Sequence, residues 1–280
     1  MPRKLRDVKS RFIILACLYI WLFFPVDILF DLPGEPNEWY WWSISYYLSS
    51  QIFLALLLLL IARMVRLNPE KFFGPLPGRP QIKELAILFA FLFVVSGALD
   101  FISFYPLSWI APEFVEWWYF DLPPVIYSNE GELPFFANLL SFVSLVFLAP
   151  LTEEVLFRGY LLQRWSHKWG MMRAILLSSL FFGIIHPDIL SAIVFGIVMC
   201  LIYLRSGSLI AAILMHATWN LMVWLWALYD VLSKGPDYRY TLEEFQNNWP
   251  WGFLWILLSL IFITRFLSKG SPHHWRLPDL

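Results

Sequence analysis

Three short patterns of polar side chains stand inside apolar stretches of this chain. They are Glu153-Glu154-Val155-Leu156-Phe157-Arg158, Phe182-Gly183-Ile184-Ile185-His186 and His216-Ala217-Thr218-Trp219-Asn220. Ionisable groups are costly in hydrocarbon and mostly occur there where they carry a function. Carboxylate, imidazole and amide together suit one reaction class. Hydrolysing a peptide bond needs a base for the attacking water and hydrogen-bond donors for the oxyanion that forms. A carboxylate stripped of water is the better base near neutral pH.

Helical spacing assigns roles. Residues four apart stack on one side of a helix, so Glu154 pairs with Arg158. Glu153 is turned about 100° from that face and is free to face a cavity. Glu153 is therefore the expected base, and replacing Glu154 is the expected milder change. His186 would hold or help deprotonate the same water, with Phe182 packed one turn below its ring. His216 and Asn220 share a face and would donate to the oxyanion. An alternative stays open. Glu153, His186 and His216 could form a three-ligand zinc site with an open position. No H-E-x-x-H prearranges a histidine pair, so hydrolysis without a cofactor is the preferred reading and zinc the second.

The elements that position these groups must cross a bilayer. Of 280 residues, 59% are hydrophobic and 15% charged, against roughly a quarter charged in soluble domains. Such a chain cannot cover a water-exposed surface. The 16 Trp, 12 Tyr and 26 Phe suit the zone where lipid tails meet headgroups. The fold class expected is all-α: a polytopic membrane protein with about eight helices around a buried polar cavity. At about 20 apolar residues per crossing, spans are drawn at about 12–30, 42–62, 84–105, 135–162, 172–190, 191–205, 208–229 and 250–267. The first follows a basic start without a small-residue cleavage site and reads as a retained span. A Pro- and Trp-rich loop at 106–134 is expected along the interface. Cys17 and Cys200 sit in apolar runs and read as packing residues.

Basic residues test this topology separately, because cytoplasmic loops collect Lys and Arg. Of the 20 Lys and Arg residues, only Lys234 and Arg239 fall on the opposite side. That count places Arg158 with Arg164, Lys168 and Arg173 in a cytoplasmic loop. An even number of spans with both termini cytoplasmic follows. With Arg164, Arg173 and Arg205 as boundary markers, a rise of 1.5 Å per residue puts Glu153 about 16 Å deep, His186 about 20 Å and His216 about 16 Å. Three helices thus carry polar groups to a similar depth.

In series, the three patterns resemble the CPBP family of intramembrane proteases, the CAAX-protease and bacteriocin-processing (Abi) family, which includes the type II CAAX prenyl endopeptidases. Its pattern is E-E-x-x-x-R, then F-x-x-x-H, then H-x-x-x-N, met here at Glu153, Glu154, Arg158, Phe182, His186, His216 and Asn220. The resemblance covers about 135–225 and implies an eight-helix fold, the same division of labour, and a membrane-associated protein or peptide substrate, prenylated in the CAAX-type members. Family members are described both as metalloproteases and as metal-independent glutamate proteases. Three regions follow: 1–134 without catalytic motif, 135–229 as the catalytic core, and 230–280 as a loop with the final span. The partners expected are substrate and lipid, with no nucleic acid. The competing class is non-enzymatic: an immunity or scaffold protein of the same fold, or a proton-coupled carrier. A carrier usually shows repeated halves, and none is visible.

Overall fold

The computed structural model describes residues 9–11, 13–15 and 39–268. The described chain is a bundle of helices, and among the described residues no extended strand forms beyond an isolated bridge between Asn129 and Glu132. Seven long helices organise it: α1 (Trp39–Val65), α2 (Arg79–Ile110), α3 (Phe135–Trp169), α4 (Met171–Ile184), α5 (Ile189–Ser206), α6 (Leu209–Lys234) and α7 (Trp249–Ser268). They answer to seven of the eight expected spans. The expected span at 12–30 lies almost wholly outside the described residues.

Five of these helices, α1, α2, α3, α5 and α6, are long and apolar enough to cross a membrane. Helix α4 is shorter, because it stops where Ile185 to Asp188 form a turn. Its 14 residues reach about 21 Å, less than a hydrocarbon core of about 30 Å. His186 thus sits on the turn rather than within a helix. The next reversal is built from local chemistry. Gly207 adopts the left-handed conformation that ends α5, and Ser208 caps α6 by accepting from the Ala211 amide at 3.1 Å.

Outward faces carry Leu56, Leu59, Leu60, Ile87, Leu225 and Leu257, all exposed, as a lipid-facing surface requires. Inward, α3 packs against α1, α4, α5 and α6. Its central segment is buried almost all round, with Leu156, Phe157, Tyr160, Leu161 and Leu162 in the main core. Helices α4 and α5 approach closely where Gly196 meets Ser179; a Cβ there would lie 2.9 Å from the serine Cβ. Small residues permit such approaches between membrane helices.

Helix α3 runs to Trp169, beyond the expected end at 162, and is not wound uniformly. It opens into π-helical turns at Ser144–Leu148 and Val155–Leu162. Such turns are frequent at functional sites. The first has a local cause. In the π register the Ala149 N–H donates to Ser144 O, so the next donor, for Leu145 O, would be residue 150. That residue is Pro150, which has no N–H.

Candidate active site

The site forms where α3 meets the α4–α5 turn and α6. Glu154 is at its centre, with no exposure to solvent. One oxygen, Oε1, accepts from Arg158 Nη1 at 2.9 Å and from His216 Nδ1 at 2.8 Å. The i, i+4 pairing expected within α3 is therefore present, and a second partner joins it. Arg158 is buried, so it belongs to this network rather than to a loop, and it drops out as a marker of topology. Its Nη2 donates to Gly196 O at 3.0 Å. Its guanidinium also stacks over the Phe182 ring, 4.9 Å from the centroid, a favourable placement for a desolvated cation.

His186 follows the end of α4. Its ring stacks on Phe182 with centroids 4.3 Å apart, as the spacing anticipates. Its Nδ1 lies 2.7 Å from Phe182 O. A carbonyl oxygen only accepts, so Nδ1 carries the proton and Nε2 keeps its lone pair in the neutral ring. His216 has the same arrangement, with Nδ1–H given to the Glu154 carboxylate and Nε2 left for another partner. Phe182 and Phe195 pack edge-on to His216 with centroids 6.1 and 4.9 Å away. The two histidines thus share an aromatic wall.

Glu153 makes no hydrogen bond or ion pair with the Glu154 network among the described residues. Its Oε2 is buried with no hydrogen-bond partner among the described residues. Asn220 has a partner that spacing does not reveal. Its Nδ2 donates to Leu145 O at 2.8 Å, the carbonyl that Pro150 leaves unsatisfied. One of its two N–H groups is therefore committed to the backbone of α3. His216 and Asn220 share a helix face, and each also holds a different group of α3.

Residues 135–222 match the family model of the Rce1-like type II CAAX prenyl endopeptidases. That family is one of peptide hydrolases. Comparison with curated proteins and with solved structures gives no match. The Rce1-like segment holds all seven residues of the three patterns, and its ends fall at the start of α3 and within α6.

The zinc alternative needs Glu153, His186 and His216 to converge as ligands. Among the described residues no group of three or more His, Cys, Asp or Glu side chains is placed to hold a metal ion. The side chains as placed do not form the donor set that zinc would take.

Two polar residues outside the Rce1-like segment reach it, and sequence reasoning passed over both. Gln51 of α1 accepts from the hydroxyl of Thr152, the residue before Glu153. Asp100 of α2 accepts from the Ser191 hydroxyl of α5. The available signal was a lone amide in one apolar run and a lone carboxylate in another. Nearby, Trp118 Nε1 donates to Pro187 O at 2.9 Å. The helical segment 112–120 thereby holds the turn that carries His186.

Proposed function

We propose that this protein is an intramembrane endopeptidase that cleaves a membrane-associated protein or peptide of the prenylated CAAX type, using a water activated by Glu153 and His186 without a metal ion. The observation carrying this reading is the contrast between neighbouring carboxylates. Glu154 is paired with Arg158 and His216 through one oxygen, whereas Glu153 forms no ion pair among the described residues; the Oε2 of each is buried without a hydrogen-bond partner there.

The water would lie against Glu153 Oε2 and His186 Nε2. Glu153 takes its proton as the oxygen attacks the peptide carbonyl. His216, oriented by Glu154 through Nδ1, offers Nε2 to the oxyanion, as a donor when the ring is protonated. The second N–H of Asn220 donates to the same oxygen. Preorganised donors of this kind lower the barrier most. Collapse of the intermediate breaks the C–N bond, and the proton held by Glu153 passes to the leaving amine. Arg158 fixes Glu154 and takes no proton. The distribution of Lys and Arg supports cytoplasmic termini.

The test is cleavage of a fluorogenic, farnesylated Cys-aliphatic-aliphatic-X peptide by purified protein in lipid nanodiscs. Glu153→Gln, His186→Ala and His216→Ala should each lower kcat by roughly 100-fold or more while the proteins still insert. Activity should survive exhaustive chelation. A Glu153→Gln variant that cleaves at the wild-type rate removes the base, and activity lost on chelation and restored by stoichiometric zinc removes the metal-free mechanism.

A further inference from the structure

We propose that Trp224 of α6 is a substrate-binding residue, whose indole N–H donates to the peptide carbonyl two residues along from the scissile one. The proposal rests on the endopeptidase reading of the site and extends that site along α6, just past the Rce1-like segment.

Buried polar atoms are nearly always hydrogen-bonded, so each exception asks for a cause. Among the described residues four buried side-chain atoms have no such partner: Glu153 Oε2, Glu154 Oε2, Arg158 Nε and Trp224 Nε1. The first three belong to the polar cluster of α3. The fourth continues the row of α6 that serves the site, since His216, Asn220 and Trp224 follow one another one helical turn apart. Contacts with α3 give the same order. Asn220 donates to Leu145 O, and the Trp224 ring packs edge-on against Phe142, with centroids 4.9 Å apart. Trp224 is thus the next step along the seam between α3 and α6 that begins at the site.

An indole N–H only donates, so its partner must bring an acceptor. The carboxylates of the site are too far, because His216 to Trp224 is a rise of about 12 Å. A bound peptide suits the position. Water is scarce in the hydrocarbon region, so a backbone held there needs protein donors for its carbonyls. An extended chain repeats every two residues, so the carbonyl two residues from the scissile one points the same way, about 6.6 Å along. One turn of α6, from Asn220 to Trp224, rises about 6 Å. A scissile carbonyl held at His216 and Asn220 therefore brings the second carbonyl to Trp224.

Trp224→Phe keeps an aromatic ring beside Phe142 and removes the donor. With the farnesylated peptide in nanodiscs, KM should rise about 10-fold with kcat within about twofold of wild type, the pattern of a contact made equally in ground and transition states. A packing role alone would lower thermal stability and leave KM unchanged. Two further peptides carry an E-alkene, which keeps the extended shape without a carbonyl, two residues before or two residues after the scissile carbonyl. One of them should raise the wild-type KM about 10-fold and be handled alike by wild type and Trp224→Phe.

A readout independent of turnover comes from the Glu153→Gln protein, which holds the peptide uncleaved. The indole N–H resonance that Trp224→Phe removes should move downfield when the peptide is added. An unmoved resonance, an unchanged KM in Trp224→Phe, or penalties that add for both alkene peptides overturns the proposal. Failure of the wild-type protein to cleave the farnesylated peptide, or an active Glu153→Gln, instead overturns the reading on which it rests.

Discussion

The Rce1-like segment and the helices around it place polar groups in the membrane by different means. Inside the segment, partners are close in sequence or held by one shared atom. Glu154 binds Arg158 one turn on, His186 lies over Phe182 one turn back, and Glu154 Oε1 ties α3 to His216 of α6. In the surrounding helices, Gln51 and Asp100 stand alone on their own helices and find partners about a hundred residues away. On the proposed mechanism the segment carries the reacting groups, and the surround braces it. This division predicts how each region fails when it is altered.

The largest effect should come from Glu154. Sequence spacing made its loss the milder change, on the view that it only balances Arg158. The contact of the same oxygen with His216 argues for the opposite ranking. Glu154→Ala leaves a buried arginine without its counter-charge, a loss of about 3–5 kcal/mol of stability. Adding Arg158→Met removes the stranded charge and should bring stability back to within about 2 kcal/mol of wild type. Peptide cleavage should stay lost, since His216 Nδ1 still lacks its acceptor. Thermal unfolding and kcat of both variants check this. Recovered cleavage in the double variant would reduce Glu154 to a counter-ion.

The comparison also explains what the sequence could reveal. Periods of 3.6 residues and apolar length were enough for the helices, and the charge pattern separated them. The pairings within α3 and within α4 were legible because they obey i, i+4 geometry. The Glu154–His216 contact was not, because spacing says nothing about which faces of two helices meet. The backbone partner of Asn220 was hidden for another local reason. Pro150 strands the Leu145 carbonyl, and Asn220 answers it. Only the register of the π-turn in α3 reveals that demand. Gln51 and Asp100 were visible as anomalies in apolar runs, but no local pattern named their partners.

That account of Asn220 gives a middle-sized effect inside the segment. Asn220→Ala leaves the Leu145 carbonyl buried without a donor and should cost about 1–3 kcal/mol. Pro150→Ala returns an N–H at the position where the π-turn needs one. The double variant should regain most of that stability. Its kcat should not recover, because the oxyanion still lacks the second N–H of Asn220. Denaturation midpoints and turnover of the two single variants and the double variant distinguish the roles. Recovery of both properties would make Asn220 a backbone cap alone and shift the oxyanion to His216.

The smallest effect belongs to the surround and tests the division most directly. Ser191 of α5 donates to Asp100 of α2 and lies 3.3 Å from Ser96 O. This contact joins two helices beside the turn that carries His186, yet none of its atoms is assigned to the reaction. Ser191→Ala removes one buried donor, and the net value of such a bond is about 1 kcal/mol. Stability should fall by that amount, with kcat per folded molecule unchanged. The turn has an independent hold in the Trp118–Pro187 hydrogen bond, so losing Ser191 should not release His186. A fall in kcat without a matching loss of folded protein would move the α2–α5 contact into the catalytic machinery. The boundary between the segment proposed to react and the helices that hold it would then have to be drawn around Asp100.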